Sequence, residues 1–285
     1  GNGGGIYGIT YSSTINNCTI SKNNAENGGG IYGAAKMTNG ELTENTATAN
    51  GGGAYFEYYY NARTSAVTGT EITGNRAANG GGLYADTSLT LDGAKISDNE
   101  ATANGGGLYL ALNLYYNTFY DQVTKDTAVS NNRAGTSGGG VYLECGKGTW
   151  TVSGDMQVKD NTLTDDTTAS NLFMQGAGRK YYYGGSSSSN EPAGVITIGR
   201  DEVKSTDSDG NETVTTAGLS GLTDGAYIGV TLEEYPALGK QTTVAKCGRT
   251  EDKVEGDTPD YAQYFHPDDT KHECVNKATT TTSSN

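Results

Sequence analysis

Asp207, Asp209 and Glu212 are spaced like the acidic ligands at the start of a calcium loop. Aspartate oxygens at alternate positions around a glycine are the ligands that calcium takes in such loops. The sequence has no glutamate at the spacing that closes the loop, and a β-turn between two strands explains the same residues. We therefore predict no cofactor for this chain, with calcium at Asp207 and Asp209 as the alternative.

Two cysteines near the C-terminus enclose a segment that also holds both histidines of the chain. In an oxidising compartment, Cys247 and Cys274 are expected to form a disulfide. The alternative is a zinc site, although the spacing matches no compact zinc module. Its four ligands would be Cys247, His266, His272 and Cys274. We predict the disulfide and no metal site.

Aromatic residues are concentrated in three short insertions, each of which follows a glycine-rich strand or its equivalent. Tyrosine-rich loops on a rigid scaffold favour protein or glycan recognition. The alternative is that these rings cover the side of the scaffold and shield it from solvent. The predicted contact residues are Tyr58, Tyr59, Tyr60, Tyr115, Tyr116, Phe119, Tyr120, Tyr181, Tyr182 and Tyr183.

The elements that position these insertions are repeats. A glycine triplet followed by an aliphatic residue and a tyrosine begins at Gly3, Gly28, Gly51, Gly80, Gly105 and Gly138. The spacing between successive triplets is typical of the repeats of a solenoid, in which each repeat covers the open face of the one before. The six repeat tyrosines are expected to stack as a packing column.

A second motif precedes each later glycine-strand position. It has four residues: an aliphatic residue, then usually Ser or Thr, then any residue, and finally Asn. With the strand before it and the glycine strand, it gives three short strands per coil and no helical periodicity. We predict an all-β, single-stranded, right-handed parallel β-helix with degenerate C-terminal capping coils. Its asparagines should form a hydrogen-bonded ladder at one corner; they are Asn23, Asn45, Asn75, Asn99, Asn132 and Asn161.

The repeats predict three regions: regular coils over 1–175, degenerate coils and a cap over 176–275, and a Thr/Ser-rich linker or tail over 276–285. Cys18 and Cys145 belong to the first and sixth coils and should lie about 24 Å apart, given the spacing of stacked strands. That distance excludes a disulfide between them. We expect both to be buried thiols.

The two motifs resemble the repeats of bacterial and archaeal adhesin-like surface proteins with parallel β-helices. They are similar to those of chlamydial polymorphic outer-membrane proteins, which pair a GGA[ILV]-type motif with FxxN. The resemblance covers about Gly1 to Met174, and this chain lacks the phenylalanine of the second motif. The resemblance implies a cell-surface or secreted, adhesin-like role and supplies no catalytic residues.

Charge and the distribution of carboxylates limit the function further. The net charge of −14 argues against nucleic acid and anionic membranes as partners. No run is apolar enough to insert into a membrane. Enzymatic β-helices need clustered carboxylates on one face, whereas one equivalent position holds, in turn, Lys22, Glu44, Gly74, Asp98, Asn131 and Asp160.

We therefore predict an extracellular, non-enzymatic adhesin-like or stalk segment with no catalytic residues. Its partner would be a protein or glycan of a host or neighbouring cell. The alternative function is a structural module of an extracellular filament that associates end to end through open strand edges. A polysaccharide-active enzyme is a further alternative, supported by analogy of fold alone.

Overall fold

The computed structural model confirms an all-β chain built from stacked, parallel strands. It describes residues 1–9, 13–57, 64–112, 121–144, 146, 148–175, 182–183, 186–187, 196–200, 202–206, 212–216, 218–232, 244–247 and 261–268. Within these residues the strands form a parallel β-helix. Three of the strand positions were predicted, and a fourth short strand follows the corner asparagine in each of the first six coils.

The strands stack into four columns. Column I follows the glycine triplet and contains Ile6–Ile9, Ile31–Gly33, Ala54–Glu57, Leu83–Asp86, Leu108–Leu110, Val141–Leu143 and Leu172–Met174. Column II contains Thr14–Asn16, Lys36–Thr38, Ser65–Thr68, Leu89–Asp92, Asp121–Lys125, Thr149–Ser153, Ile196–Ile198 and Ala245–Cys247. Column III contains Thr19–Ser21, Glu41–Thr43, Glu71–Thr73, Lys95–Ser97, Ala128–Ser130 and Gln157–Lys159. Column IV contains Asn24–Asn27, Thr46–Asn50, Arg76–Asn79, Glu100–Asn104, Arg133–Ala134 and Thr162–Leu163.

The interior is a set of aliphatic rows, because each strand turns one or two side chains inward and the register repeats from coil to coil. In column III, Ile72 lies in register between Leu42 and Ile96, and all three are completely buried. The buried side chains of column IV are alanines, such as Ala77 and Ala101. A core of small stacked rows explains why so few large hydrophobic residues are sufficient.

Glycine is required in the triplets for two different reasons. The first glycine of each triplet has a positive φ, for example 68° at Gly105. Residues with a β-carbon rarely adopt this backbone conformation. At the second glycine the limit is space, because a β-carbon on Gly106 would overlap backbone atoms of Arg133 and Gly139. Neighbouring triplets are also hydrogen bonded to each other, Gly106 N–H donating to the Gly138 carbonyl at 2.9 Å. The triplet therefore lets successive backbones approach closely.

The six predicted asparagines lie on one corner, between columns III and IV, and are joined to one another. Each donates its backbone N–H and its side-chain amide to the Oδ1 of the next coil's residue, the side-chain bonds being 2.9–3.1 Å. The last of them, Asn161, donates to Asn171. Asn171 donates in turn to the carboxylate of Asp268, at 2.8 Å and 2.7 Å. The ladder thus ends on a group that accepts hydrogen bonds without donating from its side chain.

A second, opposite ladder was not predicted. It consists of asparagines that directly precede the glycine triplets. Their side-chain amides donate toward the N-terminus, at 3.0–3.4 Å, through Asn104, Asn79, Asn50, Asn27 and Asn2. Two antiparallel rows of amide hydrogen bonds therefore run along the helix.

The C-terminal coils close the helix through one long strand and a short segment, residues 261–267, which we call the strap. Tyr227–Leu232 pairs with column III at its start and with column I at its end, so this coil has no fourth strand. A 3-10 helix at Tyr261–Tyr264 leads into the strand Phe265–Pro267, which covers that long strand.

Two antiparallel strand pairs project between the columns of the last coils. Tyr182–Tyr183 pairs with Ser186–Ser187 between columns I and II. Val203–Thr206 pairs with Glu212–Thr216 between column II and the long strand. This second hairpin encloses residues 207–211, and the calcium motif at Asp207 and Asp209 lies outside the described residues.

Candidate binding edge

The turn from column I to column II is the place where the regular coil is most often interrupted. Insertions occupy 58–63, 113–120 and 176–195, between described strands of the third, fifth and seventh coils. Strands two coils apart are about 10 Å apart, so the three insertions leave the scaffold at regular intervals along one edge. We call this turn, with the column I residues beside it, the binding edge.

Most of the predicted contact residues lie outside the described part of the chain: Tyr58, Tyr59, Tyr60, Tyr115, Tyr116, Phe119, Tyr120 and Tyr181. For the other two, Tyr182 and Tyr183, the structure describes the backbone, which forms the short antiparallel strand. The described residues thus establish where the insertions leave the scaffold. Recognition by their side chains stays a prediction.

A continuous aromatic stack lies next to the insertions, on the outer face of column I. Its rings are nearly parallel, at 6–18°, with centroids 4.5–5.5 Å apart. Each ring from Tyr32 to Tyr142 is therefore covered on both faces by its neighbours, which leaves its edge and its hydroxyl for other contacts. The stack consists of Tyr7, Tyr32, Tyr55, Tyr84, Tyr109, Tyr142 and Phe173.

In the third, fourth and sixth coils a carboxylate occupies the position two residues after the tyrosine, and the first of these, Glu57, directly precedes an insertion. Glu57 and Asp86 are register neighbours at the ends of adjacent column I strands, and Glu144 has the same place in the sixth coil. The hydroxyl of Tyr32 donates to Glu57, and that of Tyr55 donates to Asp86. Each tyrosine of these two coils thus holds the carboxylate of the next coil.

Burial and the neighbouring carboxylates of this row favour the protonated forms of Asp86 and Tyr32. Burial, followed by the nearby carboxylates of Glu144 and Glu57, raises the pKa of Asp86 to about 7, although the bond from Tyr55 acts in the opposite direction. Burial and the Glu57 carboxylate also raise the pKa of the Tyr32 hydroxyl. At neutral pH the edge therefore presents tyrosine donors together with an aspartate near its titration midpoint.

The Asp86 carboxyl should make folding stability depend on pH. Its folded pKa of about 7 exceeds the ordinary unfolded value near 3.9, so its contribution is complete below about pH 4 and is lost as the pH rises through 7. We expect the thermal midpoint to fall between about pH 5 and pH 8, and Asp86→Asn to reduce that fall by at least about 3 °C. Thermal unfolding followed by circular dichroism measures both.

Asp98→Asn provides the matched control, because Asp98 lies on the exposed corner between columns III and IV, away from the edge. Asparagine tolerates the positive φ found there, 57°. This variant should keep the pH dependence of the wild type. Equal pH dependence in the wild type and Asp86→Asn would contradict the assignment.

This carboxylate row was not predicted, since it occupies a different position of the coil from the corner position that varies from Lys22 to Asp160. When the repeats are aligned, the residues two places after the six repeat tyrosines are Ile9, Ala34, Glu57, Asp86, Ala111 and Glu144, with Gln175 in the seventh coil. That alignment contains the signal. The burial that sets the pKa could be read only from the structure.

The cysteines and possible metal ligands lie away from the edge or outside the described residues. Cys18 is exposed, so the prediction of a buried thiol there was wrong: it lies in the turn between columns II and III, and its thiol donates to the Asn16 carbonyl. Cys145, His272 and Cys274 are not among the described residues, and only the backbone of Cys247 is. Across the described ranges, no three His, Cys, Asp or Glu side chains are placed to hold a metal ion.

Comparison with protein-family models, with curated proteins and with solved structures found no match. In the part of the chain that the structure describes, no helix has the length and apolar character needed to cross a membrane. Any proposal about function must therefore be argued from the residues of this chain and from the binding edge.

Proposed function

We propose that this chain is a non-enzymatic, extracellular, adhesin-like or stalk segment that binds a protein or glycan of another cell along the binding edge. The observation that carries the proposal is that all three tyrosine-rich insertions leave the same turn on alternate coils. Side chains on loops of a rigid scaffold are positioned for contact with a partner at little entropic cost.

The neighbouring residues support this proposal. The tyrosine stack and the carboxylates beside it supply hydroxyl donors and acidic acceptors along the same edge as the insertions. Such groups bind the amides of a protein or the hydroxyls of a sugar. The parallel coils hold the three insertions at a fixed spacing, so a repeating or extended partner can contact more than one of them.

The experiment replaces the ten aromatic residues of the insertions by serine and keeps the loop lengths. Binding of wild type and variant to glycan and cell-surface protein arrays is compared, with affinities from surface plasmon resonance. We expect at least a roughly tenfold loss of affinity, since tyrosines carry much of the energy of such contacts. The control is Val214→Ser, an exposed apolar residue on the hairpin beyond column II.

Unchanged binding by the serine variant would overturn the proposal, as would a wild type that binds nothing on either array. Thermal unfolding of each variant shows whether the scaffold is intact. Light scattering distinguishes the filament alternative, since a recognition segment should be a monodisperse monomer and a filament module should form fibres.

A polysaccharide hydrolase is the second candidate, favoured by one specific observation. Glu57 and Asp86 lie in register on adjacent strands, about 4.8 Å apart at the backbone, and the pKa of Asp86 is about 7. Retaining glycosidases pair a nucleophilic carboxylate with a protonated one about 5–5.5 Å away. Release of reducing ends from polysaccharides, abolished by both Glu57→Gln and Asp86→Asn, would establish this activity in place of simple binding.

A further inference from the structure

An open depression lies at the C-terminal end of the helix, away from the binding edge. It forms because Tyr227–Leu232 runs from column III directly to column I and leaves no strand above the end of column IV. Its volume is about 630 Å³, within the range of small-ligand sites. The residues that line it include Lys159, Asp160, Thr167, Tyr227, Pro267 and Asp268.

Tyr227 lines this depression and belongs to a fixed aromatic pair. The Tyr227 ring is stacked on His266, with centroids 4.0 Å apart and planes at 11°. Backbone pairing fixes both residues, since the Tyr227 N–H donates to Met156 and Gly229 is in register with His266. Although one face of Tyr227 is covered by this stack, 37 % of the residue remains exposed. The ring is therefore a preformed apolar surface.

Polar groups of both kinds surround the ring. The Asp268 carboxylate is held in place by the backbone and side-chain amides of Asn171 and by the Thr231 hydroxyl, at 2.6–2.8 Å. Asp160 and Lys159 are exposed, and within the described residues neither forms an ion pair. Burial and the charges of Asp268 and Asp160 raise the pKa of the Tyr227 hydroxyl, which therefore remains a donor.

We propose that this depression is a binding site for a neutral saccharide. A pyranose ring has an apolar C–H face, which packs on an aromatic ring, and hydroxyls that need both donors and acceptors. The site provides the ring of Tyr227, the acceptors Asp160 and Asp268, and the donor Lys159. An amine ligand would meet Lys159 as a like charge, and an acidic sugar would meet two carboxylates.

The test is saturation-transfer NMR with the methyl glycosides of glucose, galactose, mannose and N-acetylglucosamine, followed by titration of those that bind. We expect at least one of them to bind the wild type. Tyr227→Ala should weaken binding about tenfold or more, and Tyr227→Phe less, because it keeps the ring. Asp160→Asn should weaken binding about tenfold while preserving the corner, where asparagine occupies the equivalent position at Asn131.

Val214→Ser is the control, since it removes another exposed apolar side chain, on the hairpin beyond column II and not in the lining of the depression, and should leave binding unchanged. Thermal unfolding checks each variant, and Asp160→Asn remains informative if Tyr227→Ala loosens the strap. The proposal is overturned if none of the four glycosides binds, if Asp160→Asn and Tyr227→Phe both bind like the wild type, or if tetramethylammonium binds in preference to the sugars. The serine variant of the binding edge should retain this site, so the two proposals fail separately.

Discussion

Alanine in place of Gly106 is expected to destabilise the β-helix by about 3 kcal/mol or more, the upper end of the cost of overpacking. The added β-carbon would lie 2.6 Å from the Arg133 carbonyl carbon and closer still to the carbonyl oxygens of Arg133 and Gly139. These are backbone atoms in hydrogen-bonded coils, so they cannot move aside individually. The free energy of unfolding in guanidinium chloride measures the loss.

Gly74→Asn separates this lack of space from conformational strain. Gly74 has a positive φ of 67°, but the nearest atom to an added β-carbon is 3.6 Å away, in the flexible side chain of Glu44. The equivalent corner positions already hold non-glycine residues at positive φ, among them Asn131 at 56°. This variant should stay within about 0.5 kcal/mol of the wild type. A loss at Gly106→Ala no larger than the loss at Gly74→Asn would contradict the assignment of Gly106 to lack of space.

Aspartate in place of Asn132 is expected to cost about 3 kcal/mol or more at neutral pH. The Asn132 amide is completely buried and donates to Ile96, Ser130 and Asn161 at 2.9 Å. A carboxylate supplies no donor, so those buried oxygens would lose their partners and face a negative charge. Chemical denaturation measures the change in stability.

Acid should restore part of the stability of Asn132→Asp, because a protonated carboxyl donates one hydrogen bond. Its pKa is expected to be raised in the folded state, so the deficit should shrink as the pH falls from about 8 to about 4. Asn131→Asp is the matched control on the exposed neighbouring residue, where Asp98 and Asp160 stand in other coils. A deficit of similar size in the two variants would contradict the ladder assignment.

These two effects also show why the fold could be predicted from the sequence. The backbone of a stacked coil imposes the same restriction on each repeat, so the glycines and corner asparagines recur in the sequence itself. The strand at Arg76–Asn79 was missed because its residues alternate little in polarity and the glycine triplet that follows dominates the pattern. Its asparagine, Asn79, recurs in the same way, because in stacked coils its side chain meets the equivalent asparagine of the coil before it, in the second ladder.

Much less of the candidate sites could be predicted. The insertions interrupt the period and could therefore be placed on one edge, but Glu57 and Asp86 gain their chemistry from register and burial in a single pair of coils. The saccharide site depends on contacts across long sequence separations. Asp268 meets Asn171 from 97 residues away, and His266 reaches Tyr227 through a strap that replaces the repeat. No periodic signal encodes such contacts.

The carboxylate of Asp268 gives the ladder a direction and an end. Each position from Asn45 to Asn171 both accepts and donates, so each of these coils offers the next the same hydrogen-bonding groups that it received. Whole coils inserted before Asn171 should therefore lengthen the rod by about 4.8 Å each and leave both ends unaltered. In this architecture the length of the rod is set by the number of coils, and the asparagine ladder ends where a carboxylate follows the last asparagine.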